Sequence, residues 1–541
     1  MSSNRRAVSR LSVFASLLTL ALTATASQGQ TASYASPRVQ GVVNEAQLST
    51  LKNNVLPMAQ PRFDRGRVPE GTPSGHMLMI LKRSDEQQRA LDALLAAQKD
   101  PTSPSYHKWL TPEQFAAQFG VADSDVQAVT SYLAAQGFQV GRVFKNKMAI
   151  EFSGTTGQVN SAFRTEIHAY SVNGKSFNAN ASAPRIPAAL APVVKGITLT
   201  NFRPPTPSSI KPMVLNPKTG KAHPLYTDIL NMVEAVSPGD LSVIYDIPPA
   251  ATGSGVTVGV ISDSNINLAI PANYRTLFGL PAMTPTVVVD GVDPGISADS
   301  ILTTAAVELV GATAPHAKVI LYTAADTDLD TGLDFAMIRA VDDNDVQVLL
   351  MGFESCEATL GANINPLIAA VWQQAAAEGI SVITASGNGG AAECDAGVNG
   401  AQPPNAATQG LAVNGYASTP WDTAVGTTDF FYGPTGTVTA ANPTVLLQYW
   451  NIANGGTAGF TSARSYIPEQ PWNGSYQANN QITFEPPTFV QGSGGGVSTV
   501  GNTDPDTGAQ SPYPQPSYQA GVAGGISTTA RVIPDVSFFG A

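Results

Sequence analysis

Residues 255–263 read GVTVGVISD, and three later stretches repeat the pattern: 317–324 (AKVILYTA), 345–352 (DVQVLLMG) and 379–386 (GISVITAS). Each is a near-continuous apolar run of strand length. A strand with one wet face alternates apolar and polar residues, whereas an unbroken run belongs in a parallel sheet covered by helices on both faces. Helical segments separate the runs; Asn365-Pro366 predicts the start of one that reaches Glu378 and ends at Gly379. The expected fold class of residues 237–541 is therefore α/β, a doubly wound parallel sheet. After about Phe430 the chain turns to Gly, Asn, Pro, Ser and Thr with little periodicity.

Upstream the pattern is different. Residues 76–83 (HMLMILKR) predict a strand, and Ser84-Asp85-Glu86-Gln87 a capping box opening a helix to about Lys99, with Leu91, Leu94 and Leu95 on one face. Thr111-Pro112-Glu113-Gln114 caps a second helix, and a third runs from near Ser124 to Gln136 and stops at Gly137. Strands are expected at 138–144 and 147–152, a short helix near 158–164, and a hairpin of 165–172 with 175–177 around Asn173-Gly174. Mixed helices and antiparallel strands make 71–202 an α+β domain of ferredoxin-like type. Residues 27–70 read as polar and irregular. Residues 203–236, beginning RPPTPSSIKPMVLNPKTGKAHP, cannot build a core and predict an exposed, easily cut connector.

Arg5, Arg6 and Arg10 precede an apolar run from Leu11 to Leu22, and Ala24-Thr25-Ala26 supplies small residues for cleavage. Residues 1–26 thus read as a secretory signal peptide, which sends the chain outside the cell or to the periplasm; no other segment is long and apolar enough to span a bilayer. With 43% hydrophobic residues the chain is not disordered, and 29 Lys+Arg against 40 Asp+Glu excludes the clustered positive charge that nucleic-acid binding needs. Cys356 and Cys394 are the two cysteines. Export favours one disulfide between them, with two buried thiols as the alternative; a pair is too few for structural zinc.

Several ordered stretches resemble the sedolisins, the serine-carboxyl peptidases. MLMILKRSDEQQRALDALLAAQKDPTSPSYHKWLTPEQFAAQFG, IEFSGTTGQVNSAFRTEIHAYSVNGK and PAALAPVVKGI, within 76–200, resemble a pro-kumamolisin activation domain. LSVIYDIPPA, VELVGATAPHAKV, ASTPWDTAVGTTDF, SGGGVST and RVIPDVS, within 240–541, resemble the peptidase domain. The resemblance implies a subtilisin-like fold and a zymogen whose own propeptide covers the cleft, with acid triggering its release in the connector. It also implies a serine nucleophile assisted by Glu and Asp, an oxyanion-hole Asp, and a calcium site near the C-terminus. A carboxylate base stays useful at low pH, where histidine is protonated. Some sedolisins resemble this chain in carrying cysteines near positions 356 and 394.

The chain departs from that pattern where the chemistry lies. The family's Glu and Asp stand four residues apart on one helix, which puts both on one face. Aligned on GATAP, those positions are Leu302 and Ala306. Glu308 matches a further acidic position, on another face. Asn388, in Gly387-Asn388-Gly389-Gly390, replaces the oxyanion Asp; its amide still has donors to offer. PDVS is present as Pro534-Asp535-Val536-Ser537, but no Gly-Thr-Ser follows before Ala541, which places the nucleophile and the calcium loop beyond the end and leaves no metal site to assign. Ser493 and Ser498 read as loop serines. His76, His107, His168, His223 and His316 support no Ser-His-Asp triad. The expected function is a secreted pseudopeptidase or peptide-binding scaffold; the alternative is an acid-acting endopeptidase zymogen lacking its C-terminus. A third reading, an adhesive or substrate-binding module, would use an aromatic groove from Tyr449, Trp450, Tyr466 and Trp472.

Overall fold

The computed structural model describes residues 35–172, 175–202, 236–395, 407–431, 446–451, 460–473, 490–504, 509–522 and 525–540. Residues 1–26, read as an export signal, the expected Asn173-Gly174 turn and nearly all of the expected 203–236 connector lie outside the described residues.

The N-terminal domain runs β1 (Pro73–Leu81), α1 (Asp85–Lys99), α2 (Pro112–Phe119), α3 (Asp123–Ala135), β2 (Gln139–Val143), β3 (Ala149–Thr155), α4 (Thr156–Phe163), β4 (Ile167–Val172), β5 (Lys175–Asn180) and β6 (Val194–Ile197). Ser84 and Gln87 exchange capping-box bonds at the start of α1, and Thr111 with Gln114 does the same for α2. Gly137 takes φ +84° just after α3, a left-handed stop that a side chain resists. The main sheet has the order β2-β3-β1-β6, every pair antiparallel. Helices join β1 to β2 and β3 to β6, the interleaved crossovers of a ferredoxin-like fold. β4 and β5 pair with Val172 opposite Lys175.

The segment expected to be irregular, 27–70, differs from that reading. Leu48–Thr50 pairs with Arg185–Pro187, and Asp64–Arg67 pairs with β4. The backbone N–H groups of Arg38 and Val39 donate to the buried Asp125 carboxylate. Short polar strands at a domain edge carry too little apolar periodicity to announce themselves.

The large domain runs α5 (Pro238–Ile244), β7 (Thr257–Ser262), α6 (Ala269–Leu277), β8 (Thr286–Val289), α7 (Ser300–Thr313), β9 (Lys318–Thr323), α8 (Gly332–Asp343), β10 (Val348–Met351), α9 (Glu357–Ala377), β11 (Ser381–Ala385), β12 (Thr423–Phe430), β13 (Glu469–Pro471) and β14 (Val536–Phe539). Its sheet has the order β8-β9-β7-β10-β11-β12-β13, with β14 also on β12. Every pair is parallel except β12 with β13. Val258, Val260, Val319 and Leu321 pack under α7, while Ile261, Tyr322, Leu349 and Val382 pack under α8 and α9. Helices on both faces explain why these strands read as unbroken apolar runs.

One helix boundary needs correction. The helix expected to start at Asn365-Pro366 begins at Glu357 and kinks at Gly361, whose φ is +71° and ψ −169°. Asn365 is not a cap; its Nδ2 donates to the carbonyls of Glu357 and Gly361 and so ties the kink together.

The two domains share a buried boundary. Alternate residues of β1 serve different cores: Met77, Met79 and Leu81 face the N-terminal domain's own helices, while Leu78 and Ile80 enter the core of α8 and α9 with Leu333, Met337 and Ile368. Polar contacts frame this apolar center. Leu110 N–H donates to the Ala377 carbonyl at 3.0 Å, and Arg142 meets Asp290 at 2.7 Å. Gly75, at φ +65°, must be glycine, because a Cβ there would stand 2.7 Å from the Thr327 side chain.

Candidate functional site

In α/β sheets of this kind ligands meet the carboxyl ends of the strands. Leu302 and Ala306 lie on α7, beside that edge. Their spacing of four stacks them on one helical face, and both are half-buried. Ala306 packs against the apolar cluster of Val258, Val260, Val307 and Val310. Next to Leu302, Thr303 Oγ1 is bonded to Ser262 Oγ at 2.6 Å, which anchors the helix to the end of β7. Neither position carries a group able to take a proton. Glu308 is two residues past Ala306, about 200° round the helix. Burial pushes its carboxyl up to about 7, so at about pH 4 it is protonated and useless as a base.

Asn388 follows β11. Gly387 has φ +106°, and a Cβ on it would collide with Glu393 Oε2 at 2.5 Å. That glycine lets the Glu393 carboxylate pass beneath the loop, where Oε2 accepts from Gly389 N–H at 3.1 Å. Glu354, just after β10, lies beside Asn388 and Glu393, and its Oε1 is buried without a hydrogen-bond partner among the described residues. Two carboxyls this close cannot both ionise at low cost. Burial pushes Glu354 up to about 7, and burial plus Glu354 holds Glu393 well above the carboxylate range. The pair therefore stays protonated in acid, beside Asn388.

Sequence reasoning missed Glu354 and Glu393. The available signal was their position, each within two residues of a cysteine. Cys356 and Cys394 form a disulfide with Cα atoms 4.9 Å apart, joining the same two loops. The expectation that the ends of these strands are neighbours holds, since β10 and β11 pair directly. Ser355 Oγ and Ser386 Oγ are buried nearby without hydrogen-bond partners, so no base activates either hydroxyl.

The remaining candidates have structural partners. Ser493 Oγ accepts from Thr427 N–H at 2.9 Å. Ser498 Oγ donates to Glu357 Oε1 at 2.6 Å and accepts from Tyr513 N–H at 3.0 Å. Asp535, in the PDVS stretch, pairs with fully buried Arg531 through contacts of 2.5 and 2.6 Å. His316 is exposed in its turn. Trp450 is a core residue beside Ile244, Phe430 and Ile467, with Tyr449 against the same cluster, while Tyr466 is exposed and Trp472 half-buried. Among the described residues no group of three or more His, Cys, Asp or Glu is placed to hold a metal ion, and no helix is long and apolar enough to cross a membrane.

An α+β domain is thus seated through one sheet face on the helices of a doubly wound α/β domain. The family profile described as "Pro-kumamolisin, activation domain" matches residues 63–202. Sedolisin from Pseudomonas sp. (strain 101) is 27% identical over 423 residues, 76% of this chain and 64% of that protein. Xanthomonalisin from Xanthomonas sp. (strain T-22) is 26% identical over 81% of this chain and 52% of its own length, and kumamolisin from Bacillus sp. (strain MN-32) 25% over 86% and 80%. The chain thus spans between half and two thirds of the length of the first two. Among solved structures, Pseudomonas sedolisin (serine-carboxyl proteinase), complexed with two molecules of pseudo-iodotyrostatin, matches with a TM-score of 0.41 and 22% identity, over 56% of this chain and 70% of that one. The chain is similar to sedolisin-type peptidases over most of its length, and residues 63–202 match a pro-kumamolisin activation domain.

Proposed function

We propose that this chain is an exported pseudopeptidase: a sedolisin-family scaffold that keeps the activation domain and the peptidase fold but does not run serine-carboxyl hydrolysis. The observation that carries this reading is the pair Leu302 and Ala306, apolar side chains on the α7 face where the family places its proton-carrying Glu and Asp, with Ala306 committed to the core. Loss of a catalytic base alone removes most of the acceleration such machinery provides, on the order of 10⁴-fold or more. Glu308 does not replace it, because it is already protonated in acid. The export signal read in residues 1–26 would deliver the chain beyond the cytoplasmic membrane, and a peptide or protein ligand in the old cleft is the natural use of such a scaffold. The test is digestion of a general peptide library by the purified chain at about pH 4. A silent library supports the reading; sustained peptide turnover removed by no contaminant control would overturn it.

A further inference from the structure

The domain boundary contains carboxyl groups whose surroundings suit a neutral acid better than an anion. The arrangement follows from one backbone group. Met148 N–H donates to Asn146 Oδ1 at 2.8 Å, which fixes that amide so that its Nδ2 donates across the boundary to Gln374 Oε1, also at 2.8 Å. Gln374 must then point its own Nε2 the other way, where it donates to Glu378 Oε1 at 2.9 Å and to Asp342 Oδ1 at 3.1 Å. A single amide thus bridges two buried carboxyls. Asp342 has compensation from the activation domain, since Lys145 N–H donates to its Oδ2 at 2.7 Å. Glu378 has less: its Oε2 is buried without a partner.

We propose that docking of the activation domain is a proton-closed latch, tighter in acid than at mildly alkaline pH, in which Glu378 is a titrating group. The charged groups facing Glu378 are Asp342 from α8, and Glu113 and Lys145 from the activation domain. Burial is the main cause that pushes Glu378 up to about 8; the charges of Asp342 and Glu113 add to it, against the opposing pull of Gln374 and Lys145. Asp342 is raised as well, chiefly by burial. A carboxyl raised by docking contributes fully below its ordinary value, about 4.3 for a free Glu, and its contribution is lost as pH climbs through the docked value. Acid therefore closes this boundary. That sign is opposite to the acid-triggered release expected from the family resemblance, and it concerns docking alone, whether or not the cleft hydrolyses peptides.

The Leu110 N–H that bonds to the Ala377 carbonyl crosses the boundary one residue from Glu378, so its exchange reports docking directly. Hydrogen exchange of the full chain would be followed between about pH 5.5 and 8.5, with intrinsic rates divided out. Ile150 and Phe152 in β3 serve as controls for unfolding of the activation domain itself. We expect Leu110 protection to fall about ten-fold or more across that range while the β3 amides hold theirs. In Glu378→Gln, which keeps the shape and cannot ionise, Leu110 should stay protected at the alkaline end. Leu110 protection that rises with pH, or an unchanged pH slope in Glu378→Gln with β3 intact, would overturn the latch.

Discussion

Thr198 Oγ1, in the activation domain, donates to Asp330 Oδ2 of the large domain at 2.5 Å, and itself accepts from Leu78 N–H at 2.7 Å. The hydroxyl thus carries a backbone donor of β1 onto a buried carboxyl across the boundary. Asp330 Oδ1 accepts from Thr331 N–H at 2.9 Å, and Asp334 stands beside it. Burial first, and the Asp334 charge second, hold Asp330 well above the carboxylate range.

Asp330→Asn should therefore have a pH-dependent effect. A group raised in the folded state contributes fully in acid and costs stability as pH rises toward its folded value. The variant is expected to match the parent at about pH 4 and to be more stable at about pH 8, by roughly 1 kcal/mol or more. Thermal unfolding at the two pH values checks this; a variant less stable at both would show that Asp330 is held as an anion.

Met77 and Leu78 are adjacent, both fully buried, and belong to different cores. Truncating either to Ala should cost about 2–5 kcal/mol. The consequences should differ. Leu78→Ala weakens docking and should split unfolding into two calorimetric transitions, whereas Met77→Ala destabilises the activation domain itself.

Removing the disulfide with Cys356→Ser and Cys394→Ser together opens a bridge between residues 38 apart in sequence. Loop entropy predicts a loss of about 3–4 kcal/mol. Denaturant unfolding of the double variant, compared with the oxidised parent, measures it. Because the bridge lies beside Glu354 and Glu393, the loss should be accompanied by faster exchange of the Gly389 amide.

Arg531→Met leaves the mostly buried Asp535 carboxylate without its ion-pair partner, near Asp422, which burial pushes up to about 6. Stranding one partner of a buried pair costs about 3–5 kcal/mol. Replacing Asp535 as well, by Leu, should recover most of that loss in the same unfolding assay. A small effect of the single variant would mean that the RVIPDVS stretch is not an anchor of β14.

Much of this fold was legible because its strands are buried on both faces. The unbroken apolar runs of β7, β9, β10 and β11 needed no more than that to predict a parallel sheet, and Ser84, Thr111 and Gly137 marked helix ends by local chemistry. The same rule applied to HMLMIL in β1 would have predicted the docking face, since alternate residues there serve two cores. The α9 start was misjudged because Asn365 looks like a cap while bonding backward to a kink at Gly361. Of the site, the apolar pair Leu302 and Ala306 was visible from its alignment with GATAP. Glu354 and Glu393 were not, because strand pairing and one disulfide bring together residues that no sequence spacing connects.

The most direct test of the central claim, a docked scaffold without serine-carboxyl hydrolysis, is the intact mass of the full chain held at about pH 4. The account predicts one unchanged mass and no new N-termini. New N-termini between residues 203 and 236, appearing at a rate independent of chain concentration as self-cleavage requires, would contradict it and show a working catalytic set.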